Sequence, residues 1–527
     1  MTTITEPALD LAAEDVATDD IQDAEIRLFN TEPARPLIPG DTIEWGGGRP
    51  LRLLYTGLVQ YGYDDAVAAN AMAESIETTD SKFFRIKVKQ GWTFHDGTPV
   101  TAHSYVNAWN HVAYGPNNMG NRTYLSKIEG YADLNPESGT PSTDKLSGLE
   151  LVNDYEFTVT LSERASVFPT MLGYFAFYPM PDAFFADPEA FAKHPIGNGP
   201  YMFVSHTPEV ETKFTVFRDY KGKHRGHVKD VTFRAYTNDD EGAYQDLVDG
   251  KLDYMEGLPY ERVAAGDHTG DLDGRYVDRN FMHLQNLYFP HYLPGYDNAD
   301  LHKAISMAID RGRVIKEAMN GKQRPADGFC VPGVLGYVPG QGGEYFTYNP
   351  EKAREHFAKS GFTGPLTLFA NFGSAAVTWM PMVCEMISET LGIECTMNRE
   401  MPFGEYLPRV VGQTMTGPYR QDWRAEYPSL ENFLSPLFKT GMAANYAGYS
   451  SPEFDAAIDE ADAAPSEEAA MELYQKAERI LVETMPALPL WQEWSVSGYS
   501  RKLTNVKVDI FTDLIVTDVR VADDATS

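Results

Sequence analysis

The chain has 527 residues, 43% of them hydrophobic and 23% charged. That is enough length and apolar content for two or three domains with sizeable cores, and it excludes disorder as the default state. Acidic residues outnumber basic ones 76 to 44, for a net charge of -32; nucleic-acid backbones are held by Lys and Arg displacing counterions, so this balance argues against such a partner. The acidity reads first as solubility, with steering of cationic ligands as the alternative.

In chain order, residues 1–25 are acidic and small, with neither a basic start nor a continuous apolar core, and they do not read as a secretory signal. Ile86 and Val88 alternate with Arg85, Lys87 and Lys89, the period-two pattern of a half-buried strand. Asp96-Gly97 followed by Pro99 is turn chemistry, and Thr101 can cap a helix. His103 and His111 read as surface residues. Phe157 to Leu161 reads as a strand. Val167 to Pro181 is apolar-rich but broken by Pro169 and Pro179, and it is too short for a membrane span.

Strands follow at Lys213 to Phe217 and Val231 to Ala235, then a helix at Asp239 to Asp249 stopped by Gly250. Helices are expected at Ala299 to Ile309, Glu351 to Lys359 (stopped by Gly361), Trp379 to Thr390 (stopped by Gly392), Pro452 to Ala461 and Glu467 to Thr484, with a strand at Leu366 to Ala370. No solenoid repeat is visible, and the alternation of strand-like and helix-like segments indicates an α/β architecture. Turn-rich junctions at Pro195 to Pro200, Pro290 to Asn298 and Pro486 to Pro489 are candidate boundaries.

Three cysteines occur, Cys330, Cys384 and Cys395, none in a CxxC pair or beside histidines at metal-ligand spacing, so no metal site is expected. Cys384 and Cys395 can form a bridge across a helix-to-strand turn in an oxidising compartment; free buried thiols are the alternative and the favoured one. Acid-base catalysis by His95-Asp96 is a thin prospect. There is no GxSxG elbow, HExxH pair or Walker loop, and Asp96 before Gly97 is better explained as a turn former, so the chain does not read as an enzyme.

The string "GWTFHDGTPVTA", residues 91–102, closely resembles the signature of the extracellular solute-binding proteins of ABC importers, family 5, the cluster C class of oligopeptide- and dipeptide-binding proteins. "PIGNGPYMF", "FTVFRDYKG", "VKDVTFRAYTND", "LHKAISMAIDRGRVI", "YNPEKAREHFAKSGF", "SETLGIE" and "LYQKAERILVETMPALPLW" then follow in family order. The resemblance implies a two-lobed α/β periplasmic-binding-protein fold of type II. Lobe one would comprise residues 26–280 plus 491–527, with an inserted subdomain at about 55–194, and lobe two residues 281–490. It implies no cofactor, a monomer, and a receptor that captures a short peptide between hinged lobes and delivers it to a membrane permease. It places the protein outside the cytoplasm, as a cell-surface lipoprotein or in a periplasm, with residues 1–33 as a polar tether and an export signal removed ahead of it.

The resemblance also implies a site. In "PYRQDWRAEYPSLENFL", Trp423 is followed three residues later by Glu426, where the family commonly has an aspartate that receives the peptide α-ammonium group. Glutamate keeps the charge and adds a methylene, which puts the depth of that pocket in question. An ammonium shut away from water needs a fixed opposite charge and further hydrogen bonds to offset its lost hydration. Extended backbone at Tyr419 to Trp423 can pair with a peptide as an added strand. A similar role falls to Thr42 to Gly47, which carries Glu44 and Trp45, although Trp45 reads equally as a core aromatic. Arg420 and Arg409 are candidates for the ligand carboxylate, with surface or interlobe ion pairing as the alternative. Asn371, Asn445, Trp491 and Tyr124 also fall near family ligand positions. A second ligand class, oligosaccharide, stays open, because sugars stack on aromatic rings such as Trp423, Trp491 and Trp494.

Overall fold

The computed structural model describes residues 20–522, apart from 64, 65, 137, 238, 320, 373, 375 and 443. The architecture is mixed α/β, and the chain forms two compact units: one holding the residues up to Asp278, Ala463–Pro465 and those from Ser495 on, the other Arg279–Asp462 and Ser466–Trp494. The chain leaves the first unit inside the strand Tyr276–Tyr288, returns to it briefly at Ala463–Pro465 and re-enters it for good inside the strand Ala487–Tyr499.

In the first unit, strands Gln22–Asn30 and Val228–Ala235 run parallel, with Ile26 beside Val231 and Leu28 beside Phe233. Antiparallel strands Glu211–Val216 and Tyr201–Thr207 extend this sheet on one side, and Tyr254–Met255 borders it on the other. The expected tether over residues 1–33 is corrected here. Ile26 and Leu28 are fully buried, so Gln22–Asn30 is sheet, while residues 1–19 lie outside the described residues. The Gln22 side-chain amide and the Val521 backbone hold each other reciprocally, both hydrogen bonds at 2.7 Å.

A separate antiparallel sheet of Ala73–Thr78, Phe83–Val88, Glu156–Thr160 and Leu149–Asn153 belongs to the same unit. Against it packs the helix Ala102–Ala113, opened by a capping box of Thr101 and Ser104. Its Trp109 stands edge-on to Phe157 and Phe177 and donates its indole N–H to the Phe177 carbonyl at 3.0 Å. His103 is exposed, but His111 is half-buried, edge-on to Phe184 at 4.8 Å, which corrects its reading as a surface residue.

Two of the family-like strings meet through one side chain. His95 uses both ring nitrogens and its backbone on the glycine-rich turn: Nδ1 accepts from Gly197 N–H at 3.2 Å, Nε2 donates to the Gly199 carbonyl at 3.0 Å, and the His95 N–H donates to the Gly197 carbonyl at 2.8 Å. Burial lowers the imidazole pKa to about 4, so the ring is neutral and its two nitrogens keep opposite roles. Asp96 is a turn former, accepting from the backbone N–H and hydroxyl of Thr98, and Gly97 takes φ +83°.

The segment Thr42 to Gly47, expected to lie extended along a ligand, is instead the entry to a helix, Trp45–Leu54, and that expectation is corrected. Glu44 caps it by accepting from Gly47 N–H at 2.9 Å. A run of three glycines is a poor helix former, but here close packing decides. A Cβ on Gly46 would stand 2.8 Å from Thr31 Oγ1, and one on Gly47 2.6 Å from Thr42 Cγ2.

In the second unit the strand order is Cys395–Asn398, Leu366–Phe369, Tyr419–Arg424, residues 279–288 of Tyr276–Tyr288, and residues 487–494 of Ala487–Tyr499. Helices cover it, several begun by a side chain that accepts from the first turn: Asn298 for Ala299–Ala308, Asp310 for Arg311–Ala318, Asn349 for Pro350–Ser360 and Ser466 for Glu467–Thr484. Gly361 and Gly392 take positive φ where helices end. No helix among the described residues is long and apolar enough to cross a membrane.

Candidate ligand-binding site

The strand Tyr419–Arg424 carries the residues that the sequence marks as a candidate site. It pairs antiparallel with 283–288, placing Asp422 opposite Gln285, Trp423 opposite Leu284 and Arg420 opposite Leu287. On its other edge the neighbouring strand Leu366–Phe369 pairs only at Tyr419. Beyond that residue the sheet adds no strand on this edge among the described residues, and 420–424 are half-buried.

Side chains along the strand interlock. Arg420 bonds Asp422 at 3.0 Å through Nη2 and Gln285 Oε1 at 3.2 Å through Nε, and Asp422 meets His283 Nε2 at 2.7 Å. Burial alone would raise the Asp422 carboxyl; the hydrogen bond and charge of His283, then Arg420, outweigh it and hold the group well below the ordinary carboxylate range. Glu493, which accepts from the Trp491 indole at 3.2 Å, is pushed the other way, chiefly by burial. Asp422 is thus tied into one hydrogen-bonded patch with Arg420 and His283, and Arg420 reaches on to Gln285.

After the strand the chain turns so that Trp423 and Glu426 share one anchor. Asn432, fully buried on the helix Glu431–Phe438, accepts from Trp423 Nε1 at 3.2 Å and from Glu426 N–H at 3.0 Å. The half-buried Glu426 carboxylate lies near enough to Tyr446 that its charge adds to burial in raising that phenol.

Other residues expected at the site fall into different surroundings. Asn445 is spent on its own loop, donating to the Lys439 and Tyr449 carbonyls and accepting from Tyr449 N–H, though it adjoins Tyr446. Trp491 is 0% exposed and stands edge-on to Trp379 at 4.9 Å, as a core aromatic of its unit. Arg409 is on an exposed helix face, paired with Glu405 at 2.7 Å, while Tyr406 of that helix donates to the Arg420 carbonyl. Asn371 is buried just past Leu366–Phe369, and its Oδ1 has no protein partner among the described residues. In the first unit, the Glu44 carboxylate is used as a helix cap, Trp45 lies half-buried over the Arg49 guanidinium at 5.8 Å, and the Tyr124 ring lies 4.5 Å from that of Tyr174.

His283, Gln285, Asn432, Tyr446 and Glu493 were not anticipated as site residues. The strand opposite Tyr419–Arg424 carries a signal for two of them, since His283 and Gln285 alternate on one face with buried apolar neighbours. Among the described residues no group of three or more His, Cys, Asp or Glu side chains is placed to hold a metal ion.

With this geometry in hand, the comparisons with known proteins are specific. Residues 68–445 match the model of the bacterial extracellular solute-binding proteins, family 5, and the chain belongs to that family. It is similar to the oligopeptide-binding protein OppA of Bacillus subtilis, 23% identical over 88% of this chain and 86% of that one. It is similar also to a dipeptide-binding protein of Lactococcus lactis, 25% identical over 79% of this chain and 80% of that one. Its fold matches the crystal structure of Haemophilus influenzae OppA in complex with the peptide RPPGFSPFR, with a TM-score of 0.74, 21% identity, and coverage of 95% of this chain and 99% of that one. The fold is thus the two-lobed type II fold of periplasmic binding proteins.

Proposed function

We propose that the protein is the substrate-binding receptor of an ABC importer, taking up short peptides and delivering them to a membrane permease. The observation that carries this reading is the strand Tyr419–Arg424, whose edge beyond Tyr419 bears no further strand among the described residues and which is followed two residues on by the carboxylate of Glu426. A peptide added to that edge is held through its amides regardless of its side chains, and Glu426 receives the ammonium group at its start. The names of the similar proteins, oligopeptide- and dipeptide-binding, support the same chemistry.

The receptor acts outside the cytoplasm as a monomer and turns over no substrate. Lipid attachment would keep it near its permease. The oligosaccharide reading is weaker, because Trp491, one of the rings it would use for stacking, presents no face to a ligand. Calorimetric titration with di- to pentapeptides against cello- and chito-oligosaccharides tests the choice. Stoichiometric peptide binding without hydrolysis supports the proposal, whereas binding of the sugars alone overturns it.

A further inference from the structure

Cys384 lies on the helix Ala376–Leu391, and Cys395 opens the strand Cys395–Asn398 that follows. Gly392, at φ +71°, turns the chain back between them. Ser388 stands one helical turn after Cys384, so the two share a face of the helix. Ser388 Oγ in turn accepts the Cys395 backbone N–H at 3.1 Å. The first residue of the strand is thereby pinned to the helix face that carries Cys384. Both residues are free thiols, Cys384 buried and Cys395 half-buried. The Cys395 thiol is pushed up first by its contact with the Cys384 side chain and then by burial. Cys330 has a different setting: it is buried, and its thiol donates to the carbonyl of its own neighbour, Val331.

We propose that Cys384 and Cys395 are a disulfide site, a reversible cross-link that ties the end of this helix to the strand after it. The oxidant is a disulfide, R–S–S–R, of the kind met in extracellular and periplasmic compartments. The half-buried Cys395 thiol gives up its proton as its sulfur attacks this oxidant, forming a mixed disulfide, and the displaced RS group takes that proton and leaves as one RS–H. The Cys384 thiolate then attacks the Cys395 sulfur, forming the internal bond and releasing the second RS–H. Two protons and two electrons leave the protein, and the oxidant becomes two thiols. Closing this short segment of chain restricts the unfolded state, so the oxidised form is the more heat-resistant one. The proposal does not depend on which ligand the receptor takes.

The test is to equilibrate the full chain with mixtures of reduced and oxidised glutathione, alkylate under denaturing conditions, and map the peptides by mass spectrometry. The expected result is a joined pair of peptides carrying Cys384 and Cys395, lighter than their sum by two hydrogens and separated by dithiothreitol, with Cys330 alkylated throughout. Oxidation should raise the thermal midpoint of the parent protein and leave that of Cys395→Ser unchanged; Cys384→Ala is the second arm if the first variant alters the fold. A stable glutathione adduct on Cys395 with Cys384 still alkylated, a joined pair that includes Cys330, or all three thiols alkylated at every ratio would overturn the proposal.

Discussion

Asn432 holds Trp423 by its indole nitrogen at 3.2 Å, and the same amide oxygen takes the backbone N–H of Glu426 at 3.0 Å. One buried acceptor therefore sets both the ring and the start of the turn that presents the carboxylate. Replacing it with leucine strands two donors, at a cost of about 2 kcal/mol in stability. Asn432→Leu should lower the denaturant midpoint and weaken peptide binding, whereas Asn432→Asp, which keeps the acceptor, should retain most of both. Equal loss of affinity in the two variants would separate Asn432 from the ligand.

Glu426→Ala should raise the peptide Kd by about a hundredfold, on the order of 2–3 kcal/mol, because an ammonium removed from water would lose its counter-charge. N-acetylated peptides should show a loss of similar size, and acetylation should add little in the variant. Calorimetry on the four combinations measures the coupling. Unchanged affinity for either single change would remove Glu426 from the ammonium role.

Gly197→Ala should be severely destabilising. An added Cβ would fall 1.8 Å from the Leu54 carbonyl oxygen, which is backbone and cannot swing aside. The loss should be about 3 kcal/mol or more, read by thermal unfolding, since the His95 clasp on the turn is displaced as well. A variant with the parent's melting point would contradict the packing described for this turn.

Glu478 supplies a pH dependence with a defined sign. It is buried, accepts from Phe329 N–H at 2.8 Å and Gln341 Nε2 at 3.1 Å, and burial raises its pKa from 4.5 to about 7. A raised folded-state pKa means the folded protein prefers the protonated acid. The resulting stability is full below pH 4.5 and is lost as pH rises through about 7. Glu478→Gln, which mimics the neutral form, should gain on the parent between pH 5 and 8 by about 2–3 kcal/mol in urea unfolding. A constant difference across that range would show that the carboxyl does not titrate there.

Much of the second unit's framework was legible in the sequence because local signals agreed there. Glu467–Thr484 has a serine cap, an apolar stripe and no internal breaker, and it forms over the residues expected. In the first unit, Asp239 and Gly250 bracket a helix in the same way. Trp45–Leu54 was not legible, since its glycines are chosen for close backbone approach, which no local pattern reports. The site divides similarly. Trp423 and Glu426 stand out in one short segment, and the structure brings them to one anchor. The His283 to Asp422 contact joins residues 139 positions apart and exists only through the strand pairing. Trp491 and Asn445 show the converse: residue type and position suggested a ligand, but burial and saturated hydrogen bonds commit them to packing and loop support.

The reciprocal bonds between Gln22 and Val521 join positions 499 apart. A ribosome therefore releases the opening strand of the first unit long before the segment whose backbone holds the Gln22 side chain, while most of the second unit emerges in between. Early in synthesis the first unit is an unfinished sheet in need of protection, and export before compaction would suit such a polypeptide better than folding at the site where it is made.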